Sequence, residues 1–351
     1  MSTSRRILGC AAAATAIAAL MTPATAQATA GANSDLKGSA PVRTVPLGEQ
    51  DGSRLDFAAI ARTAKPLAAP TNVPATRADS LSRGTSVRIA PVAPKAAKMS
   101  SKLQAEMRDT NAGGLWPGAP TANPNRQVGK LYFDTDPGPG VSWSWCTATA
   151  VNSENKSTLI TAGHCVWNTS TRQWYTNLWF APGYQYGATE GWYSARTMST
   201  TWNYYNSGTS ADDMGAVVVN AGSNGRIVDV LGGHGSWFNG ATNQYRTSLG
   251  YPITDWRWPG YTANGEDARY CQGTDYYYGS GTFAGQNYLG CRMTGGASGG
   301  PWLTWVQSNW MGYVNSVNSN KGGIGSSWAG VMFGPYFNNP ELQVFNTVRA
   351  L

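Results

Sequence analysis

All 15 tryptophans and all 17 tyrosines of the 351-residue chain lie beyond residue 110. Burying aromatic rings removes a large apolar area from water, so only the rear of the chain holds the material for a sizeable core. Residues 111–351 read as short runs of Val, Thr, Tyr and Trp, broken by Gly, Pro and Asn roughly every ten residues, a spacing that points to an all-β domain. The runs at 128–133, 142–151, 157–161, 214–219, 247–251 and 310–316 are the expected strands. No internal repeat is present, and long amphipathic helical patterns are missing.

The front of the chain has a different composition. Residues 27–110 are rich in Ala, Pro, Ser, Thr and Arg, with Phe57 their only aromatic residue, and are too polar to build a core. They read as a removable pro-segment or a disordered linker, with short serine-capped helices expected over 53–65 and 101–108. Residues 1–26 carry Arg5-Arg6, an apolar stretch over 7–21 and Ala24-Thr25-Ala26, the layout of a signal peptide. The expected division is therefore 1–26, 27–110 and 111–351, with processing between 100 and 127 and a secreted, extracellular product. Sec and twin-arginine export both remain open. Leu8-Gly9-Cys10 precedes the apolar core of this stretch and is not read as a lipidation site. The apolar run is shorter than the roughly 18 residues of a membrane span, and no later run reaches that length, so no membrane association is expected once the signal is removed.

Charge follows the same boundary. Residues 1–110 contain 14 Lys/Arg against 7 Asp/Glu, and residues 111–351 contain 12 of each, so the net charge of +7 belongs to the front. The balanced rear offers no basic patch, which excludes nucleic acid as an expected partner.

Two histidines, His164 and His234, are present in the whole chain. The first stands in Thr161-Ala162-Gly163-His164-Cys165, directly behind an apolar run. The second, in Gly232-Gly233-His234-Gly235-Ser236, reads as an exposed loop residue. Gly296-Ala297-Ser298-Gly299-Gly300 places a hydroxyl in a glycine-lined turn. A serine hydroxyl needs an imidazole to remove its proton, and glycines let backbone N–H groups approach the oxyanion that forms. The orienting carboxylate is expected at Asp213, which opens the apolar run 214–219, whereas Asp212 is expected to face solvent. The order His, Asp, Ser excludes the nucleophile elbow of α/β-hydrolases, which needs a histidine after the serine. An Asp134 or Asp136 in front of His164 would give a subtilisin-like order, but the long helices of that architecture are missing. Two separated histidines make no zinc cluster, and no metal or cofactor is called for.

On these motifs the segment from about residue 128 to the C-terminus resembles the trypsin/chymotrypsin-like serine peptidases. Thr161 to Cys165, Asp213-Met214-Gly215 and Gly296 to Pro301 are similar to the family's three motifs in order and spacing. Leu249-Gly250-Tyr251-Pro252 is similar to a stretch in the secreted bacterial branch that includes the glutamyl endopeptidases. The resemblance implies an all-β fold of two six-stranded antiparallel β-barrels with the active site between them, and a short terminal helix over 340–351. It implies a monomeric endopeptidase made as a zymogen, acting on polypeptide substrates with Ser298 as nucleophile and the N–H groups of Gly296 and Ser298 as oxyanion hole. It also puts Arg292 at a pocket floor and Ser316 in its wall, and with them a preference for an acidic residue before the scissile bond. The animal enzymes have an Asp where this chain has Ala297, so their charge pair with a new N-terminus cannot form here. Without Cys10, four cysteines allow three pairings. The resemblance favours Cys146–Cys165, and with it Cys271–Cys291 bracing the loop toward Ser298. Two other classes of protein fit parts of the sequence. One is an inactive binding protein on the same fold, and the other is a glycan- or cell-wall-binding module using Trp256-Arg257-Trp258 and Tyr276-Tyr277-Tyr278.

Overall fold

The computed structural model of the chain describes residues 42–48, 50, 52–70, 84–94, 113–136, 140–254, 263–307, 309–323 and 326–351. The expected signal peptide, the expected helix over 101–108 and the Trp256-Arg257-Trp258 cluster lie outside them.

Four short strands come first: β1 (Arg43–Pro46), β2 (Lys65–Pro66), β3 (Val87–Ile89) and β4 (Gly113–Leu115). Helix α1 (Phe57–Thr63) lies between β1 and β2 and is capped by Asp56, whose carboxylate accepts from Ala59 N–H at 2.9 Å. Ser53, the expected cap, sits instead in the 3-10 turn Gly52–Arg54. The helix starts later than its composition suggests because Phe57 is drawn onto Trp179 and Trp192, at centroid distances of 4.9 and 4.5 Å.

The next eight strands are β5 (Val128–Asp134), β6 (Trp143–Val151), β7 (Thr158–Thr161), β8 (Trp167–Asn168), β9 (Gln173–Trp174), β10 (Thr176–Pro182), β11 (Tyr193–Thr200) and β12 (Gly215–Val219). Six of these close on themselves through antiparallel pairs in the cycle β5-β6-β7-β12-β11-β10. Closure leaves only part of β11 unpaired by β10, and Leu131, Ala148, Leu159, Met198 and Val217 are fully buried. Burial is continuous along β5 and β7 rather than alternating, since other segments cover the outside of the barrel.

The remaining strands are β13 (Gly235–Phe238), β14 (Tyr245–Gly250), β15 (Arg269–Thr274), β16 (Tyr276–Tyr278), β17 (Gln286–Gly290), β18 (Pro301–Thr304), β19 (Tyr313–Val317), β20 (Asn320–Lys321) and β21 (Val331–Pro335). They form a seven-stranded sheet in the order β3-β13-β19-β18-β14-β15-β4 and a four-stranded sheet in the order β16-β17-β21-β20. The disulfide Cys271–Cys291 ties β15 to the residue after β17, and Leu289, Met293, Ala297, Trp302 and Met332 gather with it into a second core. The second barrel is thus carried by two sheets joined through a disulfide and a shared core. Strand β19 starts at Tyr313 rather than at 310, because Trp310 has φ +61° and turns the chain. Of the helices α2 (Trp202–Ser207), α3 (Ile227–Leu231) and α4 (Asn339–Val348), the last matches the expected terminal helix. Its first turn is fixed by Asn338 N–H donating to Glu341 Oε2 at 2.9 Å, and it buries Leu342, Val344, Phe345 and Val348 against β11, β12 and β13. No helix among the described residues is long and apolar enough to cross a membrane.

The polar front does join the fold. Strand β1 pairs antiparallel with β11, β2 runs parallel to β6, and β3 pairs antiparallel with β13. Core-forming composition is unnecessary for this, because a strand added to a sheet edge is held by backbone hydrogen bonds.

Candidate active site

Strand β7 ends at Thr161 and delivers the 3-10 turn Gly163–Cys165, in which Cys165 is bonded to Cys146 of β6. A side chain at Gly163 would meet Thr200 Oγ1 and Tyr204 at 2.7 Å, so only glycine lets the turn lie this close to its neighbours. His164 follows and is clamped twice by one carboxylate. Its N–H donates to Asp213 Oδ1 at 2.8 Å, and its Nδ1 lies 2.7 Å from Asp213 Oδ2. A carboxylate only accepts, so Nδ1 carries the proton and Nε2 presents its lone pair. Asp213 and His164 are both buried, at 1% and 6% exposure.

Asp213 receives a third bond, from Ser319 Oγ at 2.5 Å to Oδ2. Sequence reasoning passed over Ser319, and its place in the polar run after β19 is the only signal that could have marked it. Asp212, expected in solvent, is fully buried, with Asn203 Nδ2 donating to its carboxylate at 3.1 Å, because the 3-10 turn before β12 folds inward.

Ser298 lies in a turn stitched to both halves of the molecule. Thr147 N–H of β6 donates to Ser298 O at 2.7 Å, Gly299 N–H to Asn318 O at 2.7 Å, and Asn318 Nδ2 to Ala297 O at 3.0 Å. Gly299 has φ +80° and packs against Thr161 Oγ1 and Thr147 O, which sets the Ser298 turn beside the strand end that carries His164. Ser298 Oγ and His164 Nε2 are both buried and have no hydrogen-bond partner among the described residues. Gly296, at φ +90°, directs its N–H to Leu67 O at 3.0 Å. Beneath it lies Trp145, whose Nε1 donates to Tyr251 O at 3.1 Å and stands 2.6 Å from where a Gly296 side chain would begin. The Lys130 ammonium is enclosed by Trp145 and Tyr184, at 4.4 and 4.1 Å from their ring centroids, and lies 3.3 Å from Glu266. Burial lowers its pKa to about 8, opposed by Glu266.

The two expected pocket residues differ in burial. Arg292 is exposed, because Cys291 beside it points inward to its disulfide and successive side chains alternate. Ser316 is fully buried and donates to Pro335 O at 2.9 Å, binding β19 to β21. His234 corrects the expectation of an exposed loop residue. It is fully buried between Pro124 O and Gly312 N–H, each at 3.4 Å, and burial pushes its pKa down to about 4, so it is a neutral packing residue. Cys146, His164 and Cys165 cluster closely, but the disulfide leaves no thiolate to ligate a metal. Of the tyrosine cluster, Tyr276 is exposed, while Tyr278 packs against Phe283 and Trp328.

No family model and no curated protein matches the chain. Among solved structures, the protease Anisep from Arthrobacter nicotinovorans is 30% identical, with a match covering 68% of this chain and 100% of that one at a TM-score of 0.57. The chain belongs to the trypsin-like serine peptidases. A thermostable serine protease, AL20, from an extremophilic microorganism is also 30% identical to this peptidase, over 64% of this chain and 97% of that one, at a TM-score of 0.54. A Glu endopeptidase shares the fold at 20% identity and a TM-score of 0.52, over 70% and 99%. The peptidase is accordingly a serine protease, and its substrates are polypeptides.

Proposed function

We propose that the peptidase is a secreted, monomeric endopeptidase that cleaves peptide bonds through an acyl-enzyme on Ser298. The observation that carries this reading is the buried pair His164–Asp213 at 2.7 Å, which engages Nδ1 and leaves Nε2 as the ring nitrogen available to a serine hydroxyl. His164 takes the Ser298 proton as the hydroxyl attacks the scissile carbonyl, and returns it to the leaving amine. Water then hydrolyses the acyl-enzyme by the same base. Asp213 holds the ring and stabilises it when protonated. The N–H groups of Gly296 and Ser298 meet the developing oxyanion, for which the left-handed glycine turn is suited. No cofactor enters these steps. A fluorophosphonate probe is expected to label Ser298 in the form whose front has been removed, and Ser298→Ala is expected to abolish labelling. Labelling of any other residue overturns the assignment.

Preference for an acidic residue before the scissile bond is the finer part of the proposal. It is supported by Arg292, six residues before the nucleophile, and by Lys321, half-buried two residues after Ser319, whose pKa is lowered by burial. Profiling with peptide libraries tests it. Arg292→Ala and Lys321→Ala are expected to erase a preference for Glu over Phe and Lys, and an unchanged ranking in both overturns it.

A further inference from the structure

We propose that the described front residues, 42–48, 50, 52–70 and 84–94, are a peptidase inhibitor built into the chain, which closes the catalytic cleft by laying the backbone of Leu67 to Pro70 across it. The proposal rests on the reading of Ser298 as nucleophile and Gly296 as an oxyanion donor. Three backbone hydrogen bonds hold the cleft-crossing stretch. Leu67 N–H donates to Trp145 O at 3.0 Å, Gly296 N–H donates to Leu67 O at 3.0 Å, and Lys321 N–H donates to Pro70 O at 3.1 Å. The Leu67 carbonyl therefore takes the donor that a developing oxyanion requires, and Gly295 packs against Leu67 O, Ala68 and Ala69. Ala69 is 8% exposed and Leu67 and Pro70 are half-buried, while Ala68 between them faces out, so the stretch is seated on alternate side chains. Pairing through backbone asks little of side chains, which is why so polar a segment can occupy the site.

Each end of the segment is anchored on a different half of the peptidase. On the first barrel, β1 takes the part of β11 that β10 does not pair, Leu47 N–H donates to Arg196 O at 2.8 Å, Arg43 stacks over Trp202 at 4.3 Å, and Phe57 stacks on Trp192. On the second, β3 pairs with β13, Trp237 Nε1 donates to Ser86 Oγ at 2.8 Å, and Arg88 lies over Trp305 and Trp237 at 3.8 and 4.5 Å. Two anchors on either side of the cleft give the central stretch a high effective concentration there, including after the covalent link is cut.

The test uses the full chain carrying a recognition site for a sequence-specific protease inserted between residues 95 and 112. The readout is the rate of Ser298 labelling by a fluorophosphonate. The intact chain, and the cut chain at micromolar concentration, are expected to label at least tenfold more slowly than the cut chain diluted until the segment dissociates. Ala69→Arg, which wedges the cleft, is expected to raise the rate of the intact chain by a similar factor. So is the pair Phe57→Ala and Arg88→Ala, which loosens both anchors and leaves the cleft untouched. Equal rates in all forms overturn the inhibitor and leave the Ser298 reading standing, whereas failure of every form to label overturns both. A mass-spectrometric cut at Leu67–Ala68 in the intact chain also overturns it, since the segment would then be a substrate.

Discussion

Asp213 shows how much a single side chain can organise: it holds the backbone and the ring of His164 and accepts from Ser319. Asp213→Asn keeps the shape but makes the group at Oδ2 interchangeable with a donor, so the imidazole tautomer is no longer enforced. Its kcat is expected to fall by about 10³–10⁴ with KM little changed. Ser319→Ala removes one bond to the carboxylate without touching substrate, and is expected to lower kcat by about tenfold with KM little changed, the order of one hydrogen bond to a charged group. Ser319→Thr, which keeps the hydroxyl, is expected to restore kcat, and an unchanged kcat in Ser319→Ala overturns the positioning role. His234 makes a different kind of prediction. Its folded pKa is about 4 against an ordinary 6.5, so the unfolded chain binds a proton that the folded chain excludes. Stability is intact above about pH 6.5 and declines as pH falls toward 4, by on the order of 3 kcal/mol for this group. Urea denaturation at pH 7 and pH 4.5 is expected to show a smaller acid loss in His234→Asn than in the native chain. At this scale the His164–Asp213 contact was legible because two histidines leave so few candidates. Ser316 and Ser319 were not, since nothing local tells a serine that bridges two strands from one that reaches a carboxylate.

Among the elements, the disulfides act where strands alone leave freedom. Cys146–Cys165 fixes the turn of His164 to β6, and closes a loop with a sequence separation of 19. The double variant Cys146→Ser/Cys165→Ser is expected to lose about 3 kcal/mol in urea unfolding and a larger share of activity than of stability, because the histidine turn loses its tether. Equal activity at a temperature where both forms are folded counts against that role. The runs 128–133, 142–151 and 157–161 coincide with β5, β6 and β7 within a residue, since β-branched and aromatic residues bounded by turn formers leave little choice. Strand β19 slipped by three residues, because the positive φ at Trp310 depends on packing and not on its residue type. Strands β1 and β3 were not foreseen, as edge strands held by backbone pairing carry no apolar signature.

For the whole molecule, β1 pairs with β11 on one half of the peptidase and β3 with β13 on the other, and this pairing makes a prediction independent of catalysis. Amide hydrogens of β1 and β3 are expected to be protected from exchange in the intact chain, and to lose protection when the chain is cut between 95 and 112 and diluted. Protection that persists after dilution would show a segment that is permanent structure. The sequence by itself determined the all-β class and the aromatic division near residue 110, and it named the nucleophile, base and carboxylate proposed above, because each follows from residue type, spacing and chain order. Only the tertiary structure decided that the second half is two sheets joined by Cys271–Cys291, that Arg292 faces outward, and that Leu67 meets Gly296 across 229 positions of sequence. Such contacts are made by backbone atoms common to every residue, and a sequence records side chains alone.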